Sequence, residues 1–309
     1  MNYSIIIPLF NEEKNITSLI SEIMALTKKN NDKIFEIILV DDGSTDKTFE
    51  VLLGLKEKYS FKIIRHKYNL SQSKAIYSGI KNSKYDNLIF LDGDCQNDPH
   101  DLNVMIKNYE QGYDLVHGYR INRKDKFLSK VLPSKLANFL VRFITGSHIK
   151  DHGCSIKILK KKLLGDEILW GDFHRLLAAR LDFKNLKFIQ IPTNHRKRNH
   201  GISNYGFYRV FKVFVDLIYL RLFQNKKNNN FYFIGILGFC SFLTGLILLI
   251  YMFYLKFFEN ISFIATPLPI LIVSLFLSSL IFFSLLFIIQ LMFEISKKNE
   301  KNTYYDLIE

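Results

Sequence analysis

Cysteine is scarce in this chain. Only Cys95, Cys154 and Cys240 occur in 309 residues, far apart and odd in number. With no CxxC pair, neither a thiolate zinc site nor a disulfide framework has support, and a reducing compartment is the natural setting. Six prolines and 15 glycines are too few for a collagen or a Pro/Gly-rich disordered chain, and 48% hydrophobic residues are too many for the latter. No GxGxxG follows any predicted strand, which removes the dinucleotide-binding fingerprint. Acidic residues fall short of basic ones, 29 Asp+Glu against 42 Lys+Arg, leaving a formal charge of +13. Charge of either sign is missing altogether from Phe231–Tyr254, 24 residues, and from Phe263–Phe293, 31 residues.

A positive chain can meet nucleic acid or an anionic membrane surface. The two uncharged runs favour the membrane, because at about 1.5 Å per residue the shorter one spans roughly 36 Å as a helix, enough for a ~30 Å hydrocarbon core. Both runs are expected to be transmembrane helices. Met1–Pro8 is too short for a signal peptide. Arg196, Lys197, Arg198, Arg209, Lys212, Arg221, Lys226 and Lys227 precede the first run, and Lys297, Lys298 and Lys301 follow the second. The connection between them holds only Lys256 and Glu259. The positive-inside rule then places both ends, and the large N-terminal part, in the cytosol.

The first 118 or so residues alternate apolar runs with helical patterns. Strands are expected at Tyr3–Pro8, Glu36–Val40, Phe61–Arg65, Asn87–Leu91 and Asp114–Gly118. Helices are expected at Glu12–Lys29, Thr45–Lys58 and Ser71–Asn82. This order predicts an α/β domain whose mostly parallel sheet is covered on both faces and binds ligands beyond its carboxyl ends. The polar clusters Asn11-Glu12-Glu13, Asp41-Asp42-Gly43-Ser44 and Asp92-Gly93-Asp94 fall at those ends. The expected organisation is a cytosolic α/β domain over 1–204, a juxtamembrane segment over 205–230, a two-helix transmembrane hairpin over 231–293 and a cytosolic tail over 294–309. Residues 127–148 and 205–223 are both apolar and basic. In the second, Arg209, Lys212 and Asp216 share a helical face amid Phe and Val, the character of an interfacial helix, with a core helix as the alternative.

Asp92-Gly93-Asp94 carries the strongest chemical signal. Two carboxylates at i and i+2 on an extended segment point the same way, and a turn there can bring both to one cation. Hard oxygen ligands suit Mg²⁺ or Mn²⁺, which also bind phosphate oxygens and so neutralise a diphosphate leaving group. Asp98, before Pro99, is better read as a helix cap.

Taken together, IIIPLFNEEKNI at 5–16, ILVDDGSTDKT at 38–48 and FLDGDCQNDP at 90–99 resemble the family 2 glycosyltransferases with a GT-A fold. GYRINRKD at 118–125, DHGCSIKI at 151–158, WGDFHRLLAARL at 170–181 and HRKRNHGISNYG at 195–206 are similar to the polyprenyl-phosphate branch of that family. This branch includes dolichol-phosphate mannose synthases and bacterial undecaprenyl-phosphate sugar transferases, many of the latter with two C-terminal transmembrane helices. The resemblance implies that Pro8, Leu9, Phe10 and Glu12 hold the base and ribose, with Phe10 replacing a more usual Tyr. It implies that Asp42 contacts the base, that Asp92 and Gly93 lie at the nucleotide sugar, and that Asp94, with Gln96, binds the metal. Arg120 and Arg123 fall in the stretch linked to phosphate recognition. Asp151 falls on a carboxylate near the reaction centre, and Arg196, Arg198 and Ser203 fall in a basic loop over the site. Two departures stand out: Asn69-Leu70-Ser71 lacks the glycine usual after the third strand, and Cys95 replaces an aliphatic residue.

The implied activity is a membrane-bound inverting transfer of a sugar from a UDP- or GDP-sugar to polyprenyl phosphate. A phosphate monoester, with a second pKa of about 6, is already a dianionic nucleophile at neutral pH. Asp151 therefore suits positioning of acceptor or metal better than proton abstraction, and Asp94 and Arg120 would stabilise charge. Membrane lipids are expected partners and nucleic acid is not; a homo-oligomer is left open. A different lipid acceptor and a non-catalytic membrane scaffold are the alternatives. His174 and Trp170 suit packing, and Cys154 an inert core position.

Overall fold

The structure is a computed structural model that describes residues 1–121, 132–164, 173–181, 186–196, 231–298 and 305–308. These fall into two compact units: one holds the N-terminal part of the chain together with the C-terminal strand, the other the two long apolar helices.

The first unit is built on an eight-stranded sheet. Its strands are β1 (Asn2–Leu9), β2 (Ile34–Asp41), β3 (Lys62–His66), β4 (Asn87–Phe90), β5 (Leu115–Ile121), β6 (Lys157–Lys160), β7 (Phe188–Asn194) and β8 (Tyr305–Ile308). The order across the sheet is β7-β5-β6-β4-β1-β2-β3-β8. β3, β2, β1 and β4 pair parallel, as do β5 and β7, while β6 runs antiparallel between β4 and β5. Because β6 is reversed, its beginning lies at the sheet edge where β1, β4 and β5 end. The five expected strands and three expected helices are all present, with boundaries shifted by a few residues. β6, β7 and β8 were not expected. β8 pairs antiparallel with β3, so part of the tail is an edge strand of the catalytic sheet.

Side chains alternate along each strand and feed two cores. Ile5, Ile7 and Leu9 pack with Ile16, Leu19, Ile20 and Ile23 of α1 (Ile16–Lys29), with Leu52 of α2 (Thr48–Lys56) and with Met105 of α4 (Asp101–Tyr109). On the opposite face Ile6, Ile38, Val40 and Ile64 pack with Ala75, Ile76 and Ile80 of α3 (Gln72–Lys81), with Val141 of α5 (Leu132–Thr145) and with Leu176 of α6 (Phe173–Leu176). The three-four spacing of the α1 apolar residues is what lets one helix stripe cover the sheet. The result is a sheet with helices on both faces, the arrangement that near-continuous apolar strands require.

The second unit is a helix pair, α7 (Phe231–Phe258) and α8 (Leu268–Lys298). Both are long and apolar enough to cross a membrane, over Ile234–Phe258 and Leu268–Ile289, and only 11% of each apolar window is buried. A soluble core helix would be mostly covered. Ile247, Ile250, Phe257 and Ile270 stand out into the surroundings instead, which suits a hydrocarbon solvent. Where the helices touch, small residues line the seam. Gly238 meets Phe282 and Phe283, Gly245 meets Leu275 and Phe276, and the Ser241 hydroxyl donates to the Leu275 carbonyl at 3.0 Å. Close approach through glycine and serine is how apolar helices associate without a hydrophobic driving force between them.

Candidate active site

The polar residues gather at the edge where β1, β2, β4 and β5 end and β6 begins. β1 delivers Pro8, Leu9, Phe10 and Glu12. Phe10 is 38% exposed and offers a ring face, whereas Pro8 and Leu9 are buried in the strand end. The buried Glu12 accepts a hydrogen bond from Asn15 Nδ2 at 2.5 Å, and its backbone N–H donates to Thr48 Oγ1 at 2.9 Å. The turn after β1 is tied to the turn after β2: the Asn11 amide donates to Ser44 Oγ, and the Thr45 amide donates to Asn11 Oδ1 at 2.8 Å.

Asp42 organises the next loop. Its buried carboxylate accepts the Leu70 and Ser71 amides at 2.9 Å each, and His66 Nδ1 lies 2.7 Å from it. His66 bridges on to Ser78 Oγ at 2.8 Å. Protein donors thus engage both oxygens of Asp42 and fold the chain between β3 and α3. Ser71 adopts φ +101°, a conformation that favours glycine, in the stretch where the expected glycine is missing. Asn11 (φ 56°) and Cys95 (φ 58°) also have left-handed backbones, so three strained residues mark one sheet edge. Such strain concentrates where function dictates geometry.

At the end of β4, Asp92 and Asp94 are both half-buried. Gln72 Nε2 donates to Asp92 Oδ1 at 2.8 Å, and the Gln96 amide donates to Asp94 Oδ1 at 3.1 Å. Among the described residues no hydrogen bond reaches Asp92 Oδ2, which leaves that oxygen for a cation or a substrate hydroxyl. Two hard carboxylates two residues apart fit a divalent ion, with the Gln96 side chain on the same turn. A second group of possible ligands, Glu22, Asp98 and His100, has its ligand atoms within 4.8 Å of one another. There Arg196 already supplies the positive charge, with Nη1 donating to Glu22 and Nη2 lying 2.8 Å from Asp98 Oδ1.

Gly93 packs closely against β1. A Cβ there would run into the Leu9 side chain and sit 3.0 Å from the Pro8 carbonyl oxygen. Gly93→Ala is therefore expected to cost about 1–3 kcal/mol through overpacking and to weaken nucleotide-sugar binding by displacing Asp92 and Asp94. Thermal denaturation with and without a nucleotide sugar checks both effects.

Arg120 closes β5 and pairs with Asp151 just before β6. Its Nε donates to Asp151 Oδ2 at 2.7 Å and its Nη2 to Oδ1 at 2.8 Å. The Gly153 amide adds a bond to Oδ1 at 3.2 Å. This is a two-point fork, largely removed from solvent. The two residues expected separately at the phosphate and at the reaction centre are thus one unit, with Asp151 fixing the guanidinium. Arg196 joins the site differently: its amide donates to the Gln96 carbonyl at 2.8 Å, and its guanidinium is taken by Glu22 and Asp98. It ties the end of β7 to the aspartate loop. Asp98 shares this pair and also accepts the His100 amide at 3.0 Å ahead of α4. Arg123, Arg198, Ser203 and Trp170, and the expected interfacial helix over 205–223, lie outside the described residues.

A model of "Glycosyl transferase family 2" matches residues 4–170. This chain belongs to glycosyl transferase family 2. As a glycosyltransferase of that family, it is 30% identical over 284 residues to the dodecaprenyl-phosphate galacturonate synthase of Rhizobium johnstonii, covering 90% of this chain and 84% of that protein. It is 30% identical over 220 residues to the undecaprenyl-phosphate 4-deoxy-4-formamido-L-arabinose transferase of Pectobacterium atrosepticum, covering 70% and 66%. In structure, this family 2 enzyme resembles mannosyl-3-phosphoglycerate synthase from Rubrobacter xylanophilus, with a TM-score of 0.60 at 15% identity over 74% of this chain and 76% of that one. That likeness speaks for the fold.

Three groups at the site were not expected from the sequence. Gln72 aims Asp92, and His66 braces Asp42. The third is a pocket lined by Gln72, Asp92, His152, Gly153, Lys157 and His174. His174, expected to be a packing residue, has its Nδ1 3.0 Å from Ser73 Oγ and also lines this pocket. Cys154 is buried, and burial pushes its thiol up to about 11, as an inert core cysteine should be. The one available signal for Lys157 was a charged residue inside an otherwise apolar β-run, IKIL.

Proposed function

We propose that this glycosyltransferase moves a sugar from a nucleoside diphosphate sugar onto polyprenyl phosphate, inverting the anomeric centre, and releases a lipid-linked sugar. One observation carries the reading. The similarity to a polyprenyl-phosphate sugar synthase covers 90% of the chain, well past the 4–170 family match. The two named relatives handle different sugars, so neither name fixes the donor here.

In the proposed reaction an acceptor phosphate oxygen attacks the sugar C1, and the bond from C1 to the diphosphate breaks. At neutral pH the acceptor dianion needs no base, and no proton has to move. Phe10 gives the nucleotide base a ring to stack on, and the β1 and β2 loops hold the ribose. Asp92 and Asp94, with Gln96, would hold Mg²⁺ or Mn²⁺. Once bound, that ion supplies charge neutralisation for the departing diphosphate. Arg120, held by Asp151, presents a preorganised cation to substrate phosphate. Arg123, Arg198 and Ser203 are assigned to the same phosphate-binding loops. The catalytic part would occupy 1–204, a juxtamembrane segment 205–230, a membrane hairpin 231–293 and a tail 294–309. The Lys/Arg flanks support a cytosolic catalytic face at the inner membrane.

Membranes containing the full chain, incubated with undecaprenyl phosphate and radiolabelled nucleotide sugars, test this reading. Label should enter the organic phase from one donor and vanish with EDTA. No label from any donor, with folded protein and lipid both present, overturns it.

A further inference from the structure

Lys157 and His152 have no place in the mechanism above, yet both are polar side chains buried deep in the first unit. Lys157 begins β6 and is 2% exposed. Its Nζ makes one hydrogen bond, a long one of 3.4 Å to the His174 carbonyl. Among the described residues no carboxylate comes within ion-pairing distance of it. His152 is 3% exposed, and neither ring nitrogen has a hydrogen-bond partner. Directly across the ladder from Lys157 stands His117, fully buried, with Nε2 also unpartnered. Both Lys157 and His152 line the pocket that reaches Asp92.

Burial explains the electrostatics. It lowers Lys157 to about 8, an effect that nearby Cys154, Asp92 and Asp151 oppose. It lowers His152 to about 3, with Lys157 pushing the same way. At neutral pH the pocket therefore holds a lysine cation and a neutral imidazole with its hydrogen-bonding capacity unused. A buried charge without a partner is among the costliest arrangements a fold can keep. Its place beside Asp92, at the mouth of the active edge, indicates that the partner arrives with substrate.

We infer that this pocket is an oxyanion subsite and that Lys157 is a further substrate-binding residue, taking either a carboxylate on the donor sugar or the phosphate of the lipid acceptor. His152 offers the neighbouring hydrogen bond. The inference rests on the sugar-transfer reading for its substrates but not for its physics. If the lysine serves binding, removing it relieves the fold. If it serves structure, removing it weakens the fold.

The test uses the purified full chain in detergent, unsubstituted and as Lys157→Met and Lys157→Arg. Without ligand, Lys157→Met should raise Tm by about 2 °C or more. Two acidic probes are then set against neutral counterparts: UDP-glucuronate against UDP-glucose, and undecaprenyl phosphate against undecaprenol. One acidic probe should raise the Tm of the unsubstituted protein more than its counterpart does, and Lys157→Met should erase that difference. The pair that responds identifies the oxyanion as sugar carboxylate or lipid phosphate. In the transfer assay Lys157→Met should lower kcat/KM about 100-fold, with Lys157→Arg recovering most of it. A Tm lowered by Lys157→Met, or acid-specific shifts that survive it, overturns the inference. Absence of transfer by the unsubstituted protein overturns the reaction instead, and the Tm comparison still reads the subsite.

Discussion

Asp94→Ala should lower kcat about 10³-fold. Asp94 is half-buried in the turn after β4, and its Oδ1 accepts the Gln96 amide at 3.1 Å. Losing that bond costs about 1 kcal/mol, which a domain with two full cores absorbs. The chemical loss is of another order. A departing diphosphate needs its growing charge neutralised, and removing one preorganised electrostatic group of this kind typically costs 10²–10³-fold, roughly 3–4 kcal/mol of barrier. Initial rates of lipid labelling across a Mg²⁺ and Mn²⁺ titration check the result. Asp94→Ala should respond little to either ion, and the activity of the unsubstituted protein in EDTA should fall to the same floor. A substituted protein that still labels lipid at a tenth of the normal rate would assign the metal to other ligands.

Asp151→Asn is expected to hurt stability and activity together. Arg120 and Asp151 side chains are 10% and 12% exposed, and the fork between them has bonds of 2.7 and 2.8 Å. Removing one charge of so buried a pair breaks the fork, at a cost of about 3 kcal/mol. At 2–4 °C per kcal/mol this lowers Tm by roughly 6–12 °C. Transfer should fall about 100-fold if, as proposed, the fork is what holds the guanidinium toward substrate phosphate. Arg120→Lys separates the two effects. It keeps the charge but loses the planar fork, so it should retain more stability than Asp151→Asn and still transfer poorly. Equal activity for all three proteins would assign the pair to folding alone.

Much of the sheet was legible because its central strands are buried on both faces. YSIIIP, EIILV and NLIFL are runs that few other structures accommodate. β6 and β8 escaped for a physical reason. KILK and YDLI are four residues each, and pairing partners rather than intrinsic preference make them strands. The site divides along the same line. Aspartates at strand ends announce themselves, because acid is rare where an apolar run stops. Gln72 gains its role from Asp92, 20 residues away, and Arg196 from Glu22, 174 residues away. No local pattern encodes such pairings. The missing glycine after β3 was visible as an absence, but that Ser71 would carry the left-handed backbone itself, with its amide on Asp42, depends on a tertiary bond.

β8 also has a bearing on how the chain is threaded. Tyr305–Ile308 pairs with β3, Asn82 Nδ2 donates to the Tyr305 hydroxyl at 3.0 Å, and the Tyr305 ring lies 6.2 Å from His66, the residue that braces Asp42. A strand cannot pair through a bilayer, so Tyr305–Ile308 lies on the same side as β3. Parity then constrains α7 and α8: they cross together or not at all. It also sets a clock. β8 follows both long helices in the chain, so the outer edge of β3 stays unsealed until α7 and α8 have been synthesised.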